Sequence, residues 1–407
     1  MAKTGEGRVF LLLQGPMSWF FSYLGGALRA EGAAVRRLLV CPGDALFWRG
    51  GGATAYRGRP DDWPAFLEAF MRREGVTDIV CLGDGRRWHD EGLPVARRLG
   101  ARIHVIEQGY IRPHFLTVEP EGTGGRTRFP RDWPAIEALA AGAAPPAPPA
   151  YRASFFWFSV MDVAFNLANI LASWALYPHY RQHAVDHPLT EWSGWIVKKA
   201  LPIRQRRRTL AKAEARVARH AGPLYILPLQ LETDYQIRLH GPPGGVRGVV
   251  EATIASFAAK APEDALLAIK AHPLDNGWAD WAAAVRSAAG RRGVSERCVF
   301  LDGGDLDAML KRAAGVVVVN STVGLTALEA GAPVIALGTA IYDLPGLTHQ
   351  GALDTFWTEA APPKAARFQT LIAALGATIQ APGGFDGTGA KPGAAAMAAK
   401  MLAPPPY

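Results

Sequence analysis

Cysteine is scarce in this 407-residue chain, which holds Cys41, Cys81 and Cys298, far apart in sequence. They form no C-x-x-C pair, which speaks against a zinc site and a disulfide framework and suits a reducing cytoplasm. A secretory leader is not legible either. The apolar run at residues 9–13 is too short, and Gln14-Gly15-Pro16 interrupts it, so it reads as a first buried strand. Acidic residues are outnumbered: 36 Asp and Glu face 44 Lys and Arg, a net charge of +8. The resulting pI of about 9.5 favours anionic partners such as nucleotides, phospholipid headgroups or acidic sugars. No nucleic-acid-binding motif accompanies that charge, so no nucleic-acid partner is expected. Apolar residues make up 49% and charged residues 20%, enough material for two cores at this length.

A strand–helix alternation runs through the chain twice. In the first half, strands are predicted at 8–13, 35–41, 77–82 and 103–106, with helices at 19–32, 61–74 and 91–99. In the second, strands are predicted at 224–229, 266–270, 299–301, 315–319 and 333–337. Helices at 248–260, 278–289, 306–313 and from 325 alternate with them. This pattern predicts an α/β fold with parallel sheets wrapped by helices. The division it suggests is a first domain over 1–150, closing in an Ala/Pro-rich linker at 138–150. A connector over 151–220, a second domain over 221–360, and a C-terminal helix with an Ala/Pro/Gly-rich tail over 361–407 follow.

The connector holds the least ordinary stretch, Phe155 to Leu176, long enough to cross a bilayer. Ser159, Asp162, Asn166, Asn169 and Ser173 recur in it at spacings of three and four, which places them on one helical face. That stripe argues against a lone span in lipid. The stretch reads as an amphipathic helix, packed into the protein or lying on a membrane surface. A basic run follows, from Lys198 and Lys199 through Arg204, Arg206, Arg207 and Arg208 to Lys212, Arg216 and Arg219. It is either a solvated face or a contact for anionic lipid.

Short polar motifs follow several predicted strands, where an open parallel sheet presents its binding crevice. The first half carries Gln14-Gly15-Pro16, Gly83-Asp84 with Arg86 and His89, and Glu107-Gln108-Gly109-Tyr110-Ile111-Arg112-Pro113. The second carries Gln230 and Asp234, Lys270-Ala271-His272-Pro273, and Asn320-Ser321-Thr322 leading to Glu329. Two such halves facing each other would form a cleft with a donor on one side and an acceptor on the other. A strand-end carboxylate such as Glu107 suits work at an anomeric carbon, or it pairs with Arg112 in a turn. Lys270 and His272 supply cationic or acidic groups for a leaving phosphate, or a turn-bound histidine. Asn320, Ser321 and Thr322 open a helix, as a phosphate cradle or as plain caps. Gln230 and Asp234 orient a sugar or form an Asx turn.

Taken in order, these motifs resemble the bacterial capsule polysaccharide proteins of the KpsS/LipB type. The resemblance covers roughly residues 8 to 360, adding Gly43-Asp44-Ala45-Leu46-Phe47-Trp48 and Tyr56-Arg57-Gly58 to the segments above. It implies a GT-B-like architecture of two Rossmann-like domains, with the acceptor on the first and the nucleotide sugar on the second. It implies a glycosyltransferase that moves β-Kdo from CMP-Kdo to phosphatidylglycerol or its lyso form, retaining configuration. No metal or cofactor besides the donor is implied, since the family lacks the D-x-D signature and none is legible here. Glu107 matches the acid of the family's E-x-G motif, Gln230 and Asp234 its Q-x-x-x-D motif, and His272-Pro273 its H-P motif. Many relatives carry a second acid where this chain has Gln108, which puts the weight on Glu107. The resemblance thus implies Glu107 and His272 as catalytic. The residue readings above and the motif matches together put Lys270, Gln230, Asp234, Asn320, Ser321, Thr322 and Glu329 at the donor. Gln14, Asp84, Arg86, His89, Tyr110 and Arg112 fall at the acceptor. The implied location is cytoplasmic, peripheral on the inner face of the cytoplasmic membrane, with other capsule biosynthesis and export proteins as partners. A non-catalytic lipid-glycan export component and a GT-B enzyme using another nucleotide sugar remain the alternatives.

Overall fold

The computed structural model describes residues 4–182, 186–200, 203–233, 237 and 241–407. The chain divides into two units, residues 1–183 with 372–407, and residues 184–371. The first unit opens with β1 (Val9–Leu12), β2 (Ala34–Leu39), β3 (Ala53–Ala55), β4 (Asp78–Leu82), β5 (Arg102–Gln108) and β6 (Phe115–Pro120). The second contains β7 (Leu224–Pro228), β8 (Leu266–Lys270), β9 (Cys298–Leu301), β10 (Gly315–Val318) and β11 (Val334–Ala336). The helix Ala365–Thr378 then leads to β12 (Gln380–Pro382), which joins the first unit's sheet.

The sheet of the first unit runs β12-β6-β5-β4-β1-β2-β3, and that of the second β11-β10-β7-β8-β9. Numbered within each unit, both contain the strand order 3-2-1-4-5, the doubly wound order in which the sequence reverses direction beside the first strand. All pairs in the second sheet are parallel. In the first, β6 pairs antiparallel with β5, placing Glu107 opposite Thr117, and β12 pairs antiparallel with β6.

Strands covered on both faces read as continuous apolar runs, and β1 is one. Phe10 and Leu12 face the helices Phe20–Ala30 and Ala390–Leu402, while Leu11 and Leu13 face a cluster around Trp63, Leu67, Phe70 and Trp88. The Gly/Ala-rich C-terminal segment is therefore core. Ala394, Met397, Ala398 and Met401 cover the sheet beside Leu24 and Leu28, and small side chains let that helix approach closely. This is why residues after 371 belong with the first unit. The expected connector 151–220 is likewise divided. The helix Phe155–Leu176 belongs to the first unit, and the helices Pro188–Ala200 and Ile203–Arg219 to the second. At the N-terminal edge of the first sheet, buried Asp78 accepts from Arg8 Nε at 3.0 Å and Arg102 Nε at 3.1 Å, with His104 Nε2 at 2.9 Å. These bonds tie β4 and β5 to the entry of β1 on the edge away from the strand-end motifs.

The helix Phe155–Leu176 is turned opposite to an ordinary surface helix. Its polar residues Asn166 and Asn169 are buried, whereas Phe155, Phe156, Trp157, Leu171 and Trp174 are exposed. Asn169 Oδ1 accepts the Gly43 N–H at 2.8 Å. A Cβ on Gly43 would stand 2.4 Å from the Phe165 ring, so glycine is required for this close approach.

Candidate active site

In the first unit the crevice of a doubly wound sheet falls between β1 and β4, beyond their C-terminal ends. Gln14 leaves β1 there, Gly83-Asp84 leaves β4, and Glu107 lies at the end of β5. Gly83 has φ +65°, and a Cβ there would sit 2.9 Å from Glu107 Oε1, so its missing side chain leaves room for this carboxylate. Glu107 is half-buried. Arg112, exposed on the following loop, lies within its electrostatic reach. That loop is held from afar, since Ile111 N–H donates to Gln380 Oε1 at 3.2 Å and Gln380 Nε2 donates to Thr117 Oγ1 at 2.7 Å.

Behind Glu107 stands an acid not singled out in the sequence. Glu119 on β6 is fully buried and accepts from Tyr110 Oη at 2.8 Å and from the Thr127 hydroxyl. Burial pushes its carboxyl up to about 7 despite these bonds, and the negative charges of Glu107 and Asp84 add to the rise. Burial together with the Glu119 carboxylate also holds the Tyr110 hydroxyl well above its ordinary range. Tyr110 therefore faces Glu119 as well as the loop after β5.

The acceptor-side set is otherwise mostly buried. Gln14 and Asp84 have about 1% and 2% of their surface exposed. Asp84 receives the Thr123 N–H at 3.4 Å, and Arg126 reaches its backbone oxygen at 3.4 Å. Arg86 is half-exposed and donates to the Gly15 carbonyl at 3.2 Å, linking the loops after β1 and β4. His89 does not line the crevice. It is wholly buried, with Nδ1 2.6 Å from the Gly83 carbonyl. Burial, reinforced by Arg86, pulls its pKa down to about 3. It is a neutral pin for the Gly83 turn, and a ring with no exposed surface makes no contact with an acceptor.

In the second unit the corresponding crevice falls between β7 and β10. Gln230 follows β7 and Asn320 follows β10, and the two bond across that position. Gln230 Nε2 donates to Asn320 Oδ1 at 3.0 Å, and Asn320 N–H donates to Gln230 Oε1 at 3.4 Å. Lys270 ends the adjacent strand β8. It is buried, and that burial lowers its pKa even though Asp302 nearby favours the charged form. His272 is half-exposed two residues on, its Nδ1 accepting the Leu274 N–H at 3.0 Å. With Nδ1 an acceptor, the neutral ring carries its proton on Nε2 and presents a donor there. Gln230, Lys270, His272 and Asn320 thus share the C-terminal edge of three adjacent strands.

Ser321 Oγ accepts the Val323 N–H at 3.2 Å, and the buried Tyr342 donates to the Ser321 carbonyl at 2.5 Å. Thr322 precedes the helix Val323–Glu329 and makes no side-chain cap bond. Glu329 is exposed at that helix's far end, about 9 Å along the axis from Val323 at 1.5 Å per residue, and so is not gathered with Asn320. Asp234 lies outside the described residues.

The basic run is partly spent within the second unit. Lys198 Nζ and Arg206 Nη2 pair with Asp302 at 3.0 and 2.7 Å, and Arg216 with Glu296 at 3.6 Å. Arg204, Arg207, Arg208 and Lys212 are exposed.

A family model described as capsule polysaccharide biosynthesis protein matches residues 77–385. The chain is 30% identical over 362 residues to the capsule polysaccharide export protein KpsS of Escherichia coli, covering 86% of this chain and 90% of that protein. It is also 30% identical over 371 residues to the capsule polysaccharide modification protein LipB of Neisseria meningitidis serogroup A, covering 87% and 85%. Among solved structures, the β-Kdo 2,7 transferase KpsC of Thermosulfurimonas dismutans matches with a TM-score of 0.44 and 14% identity, covering 90% and 89%. The UDP-GlcNAc 2-epimerase of Neisseria meningitidis matches with a TM-score of 0.31 and 9% identity, covering 97% and 98%.

Proposed function

The chain belongs to the capsule polysaccharide biosynthesis protein family, and we propose that it is a glycosyltransferase of capsule assembly. Its donor is CMP-Kdo and its acceptor phosphatidylglycerol or the lyso form, so that the product begins a β-Kdo linker on lipid. The observation that carries this reading is the polar set at the C-terminal edge of the second sheet. Gln230 and Asn320 bridge its switch point, Lys270 ends the adjacent strand, and His272 lies two residues beyond it. That is where an α/β sheet of this order takes a nucleotide.

In the proposed reaction the bond from the anomeric carbon to the CMP phosphate oxygen breaks, and the acceptor hydroxyl bonds to that carbon on the face the phosphate leaves, so that configuration is retained. The departing phosphate gains negative charge, which the Lys270 ammonium and the His272 Nε2–H stabilise. Glu107, in the crevice of the first unit, receives the acceptor's proton. Asn320, Ser321 and Thr322 hold the nucleotide. Arg86, Arg112 and Tyr110 bound the acceptor side, with Gln14 and Asp84 shaping its loops from beneath. The protein works at the inner face of the cytoplasmic membrane, with the exposed face of Phe155–Leu176 as its contact.

The donor assignment is tested by calorimetric titration with CMP and with UDP. Tighter binding of CMP, lost in His272→Ala, is expected; preference for UDP would point to another nucleotide sugar. The Escherichia coli relative is a capsule polysaccharide export protein, which favours a second reading, export without chemistry. A protein of that kind would bind lipid-linked glycan and show no use of CMP-Kdo.

A further inference from the structure

A groove of about 660 Å³ runs along the exposed helix of the first unit. One wall is a single helical stripe, Trp157, Val160, Met161 and Ala164, at the spacing that aligns side chains on one face. Trp19, Leu46 and Phe47 line the groove as well. Trp19 and Phe47 meet edge to face with ring centroids 5.2 Å apart. Arg152 and Thr388 also line it and are bonded to each other, Arg152 N–H donating to Thr388 Oγ1 at 2.8 Å and Thr388 N–H to the Arg152 carbonyl at 3.0 Å.

Two features identify the occupant. The volume lies in the range of small-ligand sites, and the lining is apolar apart from Arg152, Ser154 and Thr388, with no carboxylate in it. A second guanidinium, Arg49, stands 3.8 Å from the centroid of the Trp19 ring. The groove thus offers hydrocarbon contact with cations at its border, complementary to a lipid tail beneath an anionic headgroup. It also adjoins the crevice in the chain. Trp19 follows the Gln14 loop after β1, and Leu46 and Phe47 end the short helix that follows β2.

We propose that this groove holds one acyl chain of an anionic glycerophospholipid drawn from the membrane, with Arg152 and Arg49 beside its headgroup. The inference rests on the lipid-acceptor reading above and specifies how that acceptor is held. The exposed aromatic face of the helix lies on the bilayer, and the groove beside it takes the tail of the lipid to be used.

The test needs no donor, so its failure is separable from failure of the transferase reading. Protein is titrated with lysophosphatidylglycerol brominated on its acyl tail, and tryptophan quenching is followed. Quenching is expected, with Trp157→Phe removing a large part of it. Ala164→Trp, which fills the groove, should weaken binding on the order of tenfold or more through loss of apolar contact. Myristoyl tails should bind more tightly than octanoyl ones, and lysophosphatidylglycerol more tightly than lysophosphatidylcholine, the last difference shrinking in Arg152→Gln. If Ala164→Trp does not fold, as judged by circular dichroism, the Trp157→Phe readout decides. Quenching unaffected by both variants would overturn the proposal. So would a stable dimer by sedimentation that binds no brominated lipid, which would show that a second copy covers this face.

Discussion

Gln230 and Asn320, ninety residues apart in sequence, exchange two hydrogen bonds across the switch point of the second sheet. Neither is a helix or strand residue, so the pair fixes two loops that ladder bonds leave free. Removing Gln230 strips the Asn320 side chain of this partner and loosens both loops. Gln230→Ala is expected to weaken CMP binding about tenfold, the effect of a lost bond worth roughly 1.4 kcal/mol, with little change in thermal stability. Unchanged CMP affinity in calorimetry would make the pair a loop brace only.

Glu107→Gln keeps the size of the side chain and removes its charge. Transfer should fall on the order of a hundredfold or more, the scale of a lost acid–base group, while circular dichroism and melting stay near those of the parent. A folded variant with near-normal turnover would remove Glu107 from the chemistry.

Glu119 makes stability depend on pH. Its carboxyl is raised from an ordinary 4.5 to about 7 in the folded protein, chiefly by burial. The folded state therefore holds this proton over a range in which the unfolded chain has released it. The stabilisation is full below about pH 4.5 and is lost as pH rises through about 7. The difference amounts to about 3 kcal/mol for a shift of this size. Urea unfolding from acid to neutral pH should show that decline in the parent relative to Glu119→Gln, which has no proton to lose. Parallel curves for the two proteins would place the titration elsewhere.

The exposed face of Phe155–Leu176 should bind phosphatidylglycerol liposomes, and Leu171→Ser with Trp174→Ser should reduce that binding tenfold or more, given roughly 1.5–3 kcal/mol per large apolar side chain buried. Flotation measures it. The exposed Arg204, Arg207 and Arg208 should add a salt-sensitive component wherever they reach the surface, roughly 1 kcal/mol each. Arg206 is engaged with Asp302 and should add little. Protein that stays with membranes through alkaline wash would instead mark a spanning helix.

Much of the fold is legible in local pattern. The strand at 266–270 is predicted with the bounds observed, and most others fall within a residue or two, because strands buried on both faces carry unbroken apolar runs bounded by glycine and proline. The strand-end position of Glu107, His272 and Asn320 follows from the same pattern. What local pattern misses is long-range. β12 pairs with β6 from 263 positions away at Gln380 and Thr117, and Glu119 acquires its environment only once the β5–β6 hairpin forms. His89 looks like a crevice residue by spacing, yet the Gly83 turn draws it inward. The polar stripe of Phe155–Leu176 was visible as periodicity, but which face meets protein depended on Gly43, more than a hundred residues earlier.

The most direct test of the central claim is transfer itself. Purified protein is incubated with CMP, Kdo, a CMP-Kdo synthetase and short-chain phosphatidylglycerol, and the lipid is analysed by mass spectrometry. Lipid heavier by Kdo is expected, formed only with active donor and absent with Glu107→Gln. Folded, lipid-binding protein that leaves both donor and acceptor unchanged would contradict that claim and favour the export reading.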